Sequence, residues 1–211
     1  MCAPPDLLSG YELFRNQRYA EEAERYRKLG EGQSPRTMII GCADSRVDPA
    51  TIFSARPGEL FVVRNVAAIV PPNEDDGGHH GTSAAIEFAV TTLKVEKIVV
   101  VGHGQCGGIA ASLAAAEQRP VGRFIAPWVE LLDDVRDELL SRTDAITPEQ
   151  RQKALELMSV RKSIDNLKTF SFVAEAVASG KLSLHGAWFS IAEGQLHWLD
   201  PNRDKFAPLA A

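Results

Sequence analysis

Short apolar runs alternate with segments of helical spacing in the middle of the chain. Residues 37–41, 59–64 and 97–101 are almost continuously apolar or rich in β-branched residues, which is typical of buried parallel strands. Residues 82–93 carry apolar side chains at helical spacing, and residues 107–117 are rich in alanine. Strands that alternate with helices in this way predict an α/β fold with a parallel sheet and crossover helices.

The two ends of the chain have different patterns. Residues 6–30 are polar with scattered apolar and aromatic positions, which predicts amphipathic helices too polar to form a core alone. We expect them to lie across another surface, such as a second subunit. Residues 127–178 are predicted to be helical, whereas 186–191 and 195–199 flank a turn at 192–194. That pattern predicts a hairpin that adds an antiparallel edge strand.

Length and composition fit one folded domain. The chain has 211 residues, 45% of them hydrophobic, and a formal net charge of −5. We expect a helical arm over residues 1–35, followed by a single α/β domain over 36–211. An acidic balance gives no attraction to nucleic acid, and no apolar run approaches the roughly 20 residues of a membrane span. The first residues lack the basic and apolar regions of a secretory signal, so we expect a cytoplasmic protein.

The cysteines point to chemistry rather than to a disulfide framework. Three cysteines are too few for such a framework, and an odd number cannot all be paired. Cys42 and Cys106 also lie far apart along the chain. In a cytosolic protein such cysteines more often bind metal or act in catalysis. Cys2, near the start, is expected to be an incidental thiol.

Two segments rich in reactive side chains follow predicted strands directly. Gly41-Cys-Ala-Asp-Ser-Arg46 comes after the first strand, and Gly102-His-Gly-Gln-Cys-Gly-Gly108 comes after the third. In an open parallel sheet, functional groups gather beyond the carboxyl ends of the strands. The side chains expected to converge there are Cys42, Asp44, His103 and Cys106.

Two thiolates and one imidazole suit Zn²⁺, and three protein ligands leave one position open, as in catalytic sites. Asp44 could fill that position and close the site. Arg46, two residues later, can instead pair with Asp44 and keep it ionised, so that it accepts a proton from a metal-bound hydroxide. Because two thiolates donate more negative charge than histidines, we expect activity to rise toward alkaline pH. His79 and His80, in a polar loop, are candidate proton shuttles.

These residues also fit other interpretations. Gly102, Gly104 and Gly107 match the G-x-G-x-x-G pattern of dinucleotide-binding folds, which predicts a further strand ending in an acidic residue about 20 positions on. Residues 119–128 contain no such strand. A closed structural zinc site that includes Asp44, and a pair of buried inert cysteines, stay open at this point.

The two motifs, Cys42-Ala-Asp-Ser-Arg46 and Gly102-His-Gly-Gln-Cys-Gly-Gly108, resemble those of β-class carbonic anhydrases. Residues 57–65, 81–87 and 184–188 also resemble this family, so that the similarity extends over roughly residues 13–200. The resemblance implies reversible hydration of CO₂ to bicarbonate and a proton. It also implies a four-stranded parallel core sheet with a fifth strand, in a homodimer or a larger homo-oligomer such as a tetramer. The N-terminal helices would clasp the neighbouring subunit.

The resemblance also implies roles for individual residues. Zinc would be held by Cys42, His103 and Cys106, with Asp44 and Arg46 as a catalytic dyad. The residues implied in binding CO₂ or bicarbonate are Gln33, Phe61, Val66, Phe88 and Gly107. Phe88 stands where the family often has a tyrosine.

The family contains a second type in which Asp44 closes onto zinc, and that type carries a tryptophan three residues before the first cysteine. Here that residue is Ile39, and Gln33 is present, so the chain resembles the open type. Hydrolases of carbonyl sulfide or carbon disulfide use the same zinc site and stay an alternative. A non-catalytic zinc- or bicarbonate-binding protein is an alternative of a different class.

Overall fold

Four parallel strands form the centre of the fold, and two antiparallel strands extend one of its edges. The structure, a computed structural model, describes residues 3–74, 76–142 and 147–209. Its strands are β1 (Thr37–Cys42), β2 (Leu60–Asn65), β3 (Lys97–His103), β4 (Ser183–Ser190), β5 (Gln195–Asp200) and β6 (Lys205–Pro208). They form one six-stranded sheet in the order β2-β1-β3-β4-β5-β6. The pairs β1–β2, β1–β3 and β3–β4 are parallel, whereas β4–β5 and β5–β6 are antiparallel.

Helices precede the sheet and connect its strands. The helices are α1 (Pro5–Asn16), α2 (Arg18–Glu21), α3 (Ala23–Leu29), α4 (Pro49–Ile52), α5 (Gly81–Glu87), α6 (Gly107–Ala116), α7 (Ile125–Val129), α8 (Asp133–Ser141), α9 (Pro148–Leu167) and α10 (Ser171–Ala178). Shorter 3₁₀ turns cover Val66–Ala68 and Glu130–Leu132, and a π-helical turn, Phe88–Thr92, continues α5. Among the described residues, no helix combines the length and the apolar character needed to cross a membrane.

The predicted α/β fold is confirmed, with one additional strand. The hairpin at 186–199 forms, and its first strand, β4, completes the four-stranded parallel core. The sheet continues through β6, which the sequence pattern did not predict because this short strand follows polar residues and ends at a proline. The predicted helix over 82–93 is α5 with its π-helical turn. Residues 143–146, within the predicted helical region, and Cys2 lie outside the described residues.

Burial on both faces of the sheet explains the continuous apolar runs. Successive strand residues point to opposite faces. Thus Met38 and Ile40 of β1 pack in one buried cluster, and Ile39 packs in another. Side chains of α5, α9 and α10 cover the face that carries Met38. The opposite face is covered by Phe53 and Trp198, among others. Strands β1 and β3 are therefore buried on both faces, and the residues at their carboxyl ends are held in place by the core.

The N-terminal helices contrast with this core. None of the described residues of α1, α2 or α3 is buried. Arg25 of α3 makes polar contacts with the segment before β2. Its Nε donates to Pro57 O at 2.8 Å, and its Nη2 donates to Glu59 Oε1 at 3.0 Å. On α1, Leu7 and Tyr11 remain 66% and 58% exposed. The division into an arm over 1–35 and a domain over 36–211 stays a prediction, consistent with this difference in burial.

Candidate metal centre

The ends of two neighbouring strands bring the predicted metal ligands together. Cys42 is the last residue of β1, and His103 is the last residue of β3. Cys106 is the residue that immediately precedes α6. Because β1 and β3 pair in parallel, their carboxyl ends lie side by side, so that two residues about sixty positions apart meet.

The donor atoms of these three residues form a compact group. The Cys42 and Cys106 sulfurs and a His103 ring nitrogen all lie within 4.8 Å of one another. The two sulfurs are 3.9 Å apart, and neither cysteine is in a disulfide. Tetrahedral zinc with bonds of about 2.3 Å to sulfur places two thiolates about 3.8 Å apart. All three residues are buried, with exposures of 6% for Cys42, 1% for His103 and 2% for Cys106. The arrangement therefore fits zinc in both donor chemistry and spacing.

The imidazole of His103 is oriented for a metal ligand. Its Nδ1 lies 2.9 Å from Gly104 O, so the hydrogen bond assigns the proton to Nδ1. This leaves the lone pair of Nε2 free, and Nε2 is buried without a hydrogen-bond partner in the described part of the chain. A buried acceptor without a partner costs free energy. A metal ion at this position would satisfy it.

The two thiols share a hydrogen bond that separates their pKa values. The bond from Cys106 lowers the pKa of Cys42, although burial acts in the opposite direction. The same bond, together with burial, raises the pKa of Cys106. Cys42 is therefore the thiol that loses its proton first. Binding of a metal would also displace the proton of Cys106.

Asp44 and Arg46 form a tight ion pair beside the metal group. Asp44 Oδ1 accepts from the backbone N–H and the Nε of Arg46, both at 2.9 Å, and Oδ2 accepts from Nη2 at 2.7 Å. These side-chain hydrogen bonds, followed by the backbone one, hold the pKa of Asp44 well below its usual range. Asp44 does not belong to the three-residue group of potential ligands. Its carboxylate is therefore ionised and directed to Arg46.

Arg64 holds the loop that carries Cys42 and Asp44. Its Nε donates to Cys42 O at 2.8 Å, and its Nη2 donates to Asp44 O at 2.6 Å. We did not assign Arg64 a site role from the sequence. The available signal was an arginine inside the otherwise apolar strand β2, where it pairs with Gly41 of β1.

The residues implied in substrate binding fall into two groups. Val66 packs in the same cluster as Cys42 and Cys106, and Gly107 follows Cys106 directly. Phe61, by contrast, pairs with Met38, four residues before Cys42 and thus about 13 Å from it along the sheet.

Phe88 lies beside Phe61, and Gln33 lies before the start of β1; neither lies at the metal group. The Phe88 ring is 5.9 Å from the ring of Phe61. Gln33 lines a surface pocket with Leu29 and Gly58, before the start of β1 and β2. In the described part of a single chain, Gln33, Phe61 and Phe88 are therefore not brought to the metal group. Their role in binding stays a prediction.

His79 and His80 lie in a cavity of about 530 Å³ that Phe124 and Trp128 also line. The Nε2 of His80 is 2.6 Å from Asp76 Oδ1, and this hydrogen bond raises the pKa of His80. The part proposed for these histidines in proton transfer stays a prediction.

The fold and site define an α/β protein with a buried Cys-His-Cys group at the carboxyl ends of parallel strands. The sequence model of the family described as carbonic anhydrase matches residues 37–196. Beta carbonic anhydrase 3 of Arabidopsis thaliana is 33% identical over 190 residues, covering 89% of this chain and 73% of that protein. The chloroplastic Beta carbonic anhydrase 5 of the same plant is 34% identical over 89% of this chain, which spans 62% of its length.

Solved structures agree with these sequence matches. The β-carbonic anhydrase CcaA is 28% identical, with a TM-score of 0.90 over 98% of this chain and 92% of that one. A β-carbonic anhydrase of Sordaria macrospora, described as tetrameric, is 32% identical, with a TM-score of 0.79 over 97% of both chains. The chain belongs to the β-carbonic anhydrase family.

Proposed function

We propose that the chain is a zinc-dependent carbonic anhydrase that catalyses the reversible hydration of CO₂ to bicarbonate and a proton. The observation that carries this proposal is the buried group of Cys42, His103 and Cys106 donors within 4.8 Å of one another, next to an ionised Asp44. Membership of the family supports it. The chain spans 62% and 66% of the length of two plant relatives, so the activity of the whole protein is part of the proposal.

In this mechanism, Cys42, His103 and Cys106 would hold the metal. When bound, zinc supplies Lewis acidity that makes water a nucleophile near neutral pH. Asp44 accepts a hydrogen bond from the attacking water at a carboxylate oxygen, and Arg46 fixes that carboxylate in place. This pairing also supports the open type of site, in which Asp44 is not a ligand.

Val66 and Gly107 are proposed to line the position of CO₂ beside the metal group. Val66 offers an apolar surface to an apolar molecule, and the backbone of Gly107 lies next to Cys106. No observation favours sulfur analogues of CO₂ as substrates, or a non-catalytic binding protein, over this function.

Stopped-flow measurement of CO₂ hydration, with zinc quantified in the same sample, tests the proposal. We expect hydration far faster than in buffer alone, loss of activity when a chelator removes the metal, and recovery when zinc is returned. A zinc-loaded sample that hydrates CO₂ no faster than buffer at alkaline pH would contradict the proposal.

We further propose that the chain forms a homodimer or a larger homo-oligomer. The unburied helices α1–α3 support this, as do the exposed apolar side chains Val62 and Phe88, at 40% and 44% exposure. If Gln33, Phe61 and Phe88 contact substrate, a second copy has to supply them, because they lie away from the chain's own metal group. A cytoplasmic location also stays a proposal, since named relatives include chloroplastic and mitochondrial proteins.

Sedimentation should give a mass at least twice the 23.0 kDa of one chain. Replacing Leu8 and Tyr11 of α1 with glutamate should shift the protein toward monomer, because charged side chains would enter an apolar interface. Asp6→Asn, at an exposed polar position on the opposite face of the same helix, is the control and should leave the mass unchanged. A stable, active monomer would show that the arm does not serve assembly.

A further inference from the structure

Helix α9 holds the backbone of Cys106 from behind the metal group. The Cys106 N–H donates to Glu156 Oε1 at 3.1 Å, and Gln152 Nε2 donates to Cys106 O at 3.4 Å. Glu156 and Gln152 lie one helical turn apart, so they face the same side of α9. The two ends of one residue's main chain are thus bound by two side chains of a single helix.

Glu156 is a buried carboxylate with a full set of donors. It is 2% exposed, and in addition to Cys106 it accepts from Gln152 Nε2 at 3.2 Å and from Trp188 Nε1 at 3.0 Å. A buried carboxylate is costly unless it is hydrogen-bonded in this way. Two of its three donors, Cys106 N–H and Trp188 Nε1, lie outside α9, and the third, Gln152, itself bonds to Cys106 O.

The loop from Gly102 to Cys106 packs closely against α9 and Trp188. A Cβ on Gly102 would lie 2.7 Å from Val160 of α9, and a Cβ on Gly104 would lie 3.1 Å from the Trp188 ring. Gln105, directly before Cys106, has a left-handed backbone conformation with φ of 54°. A non-glycine residue in that region is strained and persists only where its surroundings hold it. The hydrogen bonds to Cys106, the next residue, supply such a restraint.

We propose that Glu156 and Gln152 are positioning residues that fix the main chain of Cys106 and thereby set the position of its sulfur for zinc. This inference rests on the proposed zinc site. Partners that orient metal ligands typically change metal affinity by about 10–100-fold when they are removed.

A matched pair of variants tests the role of Glu156. In a Trp188→Phe background, which removes the indole N–H, Glu156→Gln keeps an oxygen that can accept from Cys106 N–H. Glu156→Leu in the same background keeps a similar volume but offers no acceptor. Zinc affinity is measured by competition with a chelator of known affinity. We expect the Gln variant to stay within about threefold of Trp188→Phe and the Leu variant to bind about 10–100-fold more weakly.

Absorption of the cobalt(II)-substituted proteins supplies a second readout, because the bands depend on the geometry of the thiolate ligands. They should change in the Leu variant and be retained in the Gln variant. Leu167→Ala removes a buried side chain from the same helix, far from Cys106, and controls for loss of stability alone. It should leave zinc affinity and the cobalt bands unchanged.

Gln152→Ala provides an independent test should the Leu variant fail to fold, because Gln152 is only partly buried. We expect it to bind zinc severalfold more weakly. Equal zinc affinity of the Leu and Gln variants, or unchanged affinity in Gln152→Ala, would overturn the inference. Failure of the unsubstituted chain to bind zinc would instead overturn the proposed function.

Discussion

Replacing Cys106 with serine should remove zinc and CO₂ hydration together. The thiolate is one of three buried donors, and a serine hydroxyl is a poor ligand because it keeps its proton at neutral pH. We expect less than about one zinc per ten chains after dialysis. Hydration should fall by at least about 10³-fold, because the metal contributes several kcal/mol to stabilising the transition state.

Metal analysis and stopped-flow kinetics on the same preparation check this result. Cys2→Ser is the matched control, because it changes the one cysteine outside the proposed ligand set. It should keep a full zinc content and full activity. A folded Cys106→Ser protein that retains one zinc per chain would mean that the ligand set is wrong.

Asp44→Asn should separate metal binding from turnover. Asp44 lies outside the ligand group, so we expect the zinc content to be unchanged. The amide has one acceptor oxygen in place of two and presents an NH₂ to the donors of Arg46, so it can neither be held as the carboxylate is nor take up a proton. We expect turnover to fall by about 10²–10⁴-fold, the usual contribution of a positioned acid–base group.

Asp48→Asn is the control for Asp44→Asn. Asp48 is a nearby carboxylate that accepts from Thr51 N at 2.9 Å at the start of α4. Asparagine caps helices about as well as aspartate, so we expect this variant to keep its zinc and most of its activity. Loss of zinc in Asp44→Asn, measured by metal analysis, would identify Asp44 as a fourth ligand and the site as closed.

Much of the fold is predictable because one physical property dominates each segment. The runs 37–41 and 97–101 are apolar on both faces, and only a strand covered on both sides requires this. The spacing of the two motifs then follows from parallel pairing, since neighbouring parallel strands end at the same edge. The short strand β6 lacks such a pattern, because pairing at the edge of the sheet needs little apolar surface.

The surroundings of the site are less predictable. Glu156 is one of several charged residues in α9, and the sequence does not distinguish a buried carboxylate from a solvated one. Its position depends on the packing of α9 against β3 and β4, where it meets Cys106 and Trp188. Similarly, the family resemblance implies one pocket for Phe61 and Val66, and the register of β2 separates Phe61 from the metal group of the same chain.

The α/β class, the two motifs at strand ends and the identity of the soft donors follow from the amino-acid sequence alone. These are local properties, set by the periodicity of apolar residues and by the chemistry of thiol and imidazole groups. Which atoms meet depends on how the chain folds in three dimensions. The tertiary structure sets the 3.9 Å between the sulfurs, the free Nε2 of His103 and the pairing of Asp44 with Arg46. Such contacts join residues distant in sequence or depend on a particular backbone turn. They are set by strand register and helix packing, and a local sequence pattern contains neither.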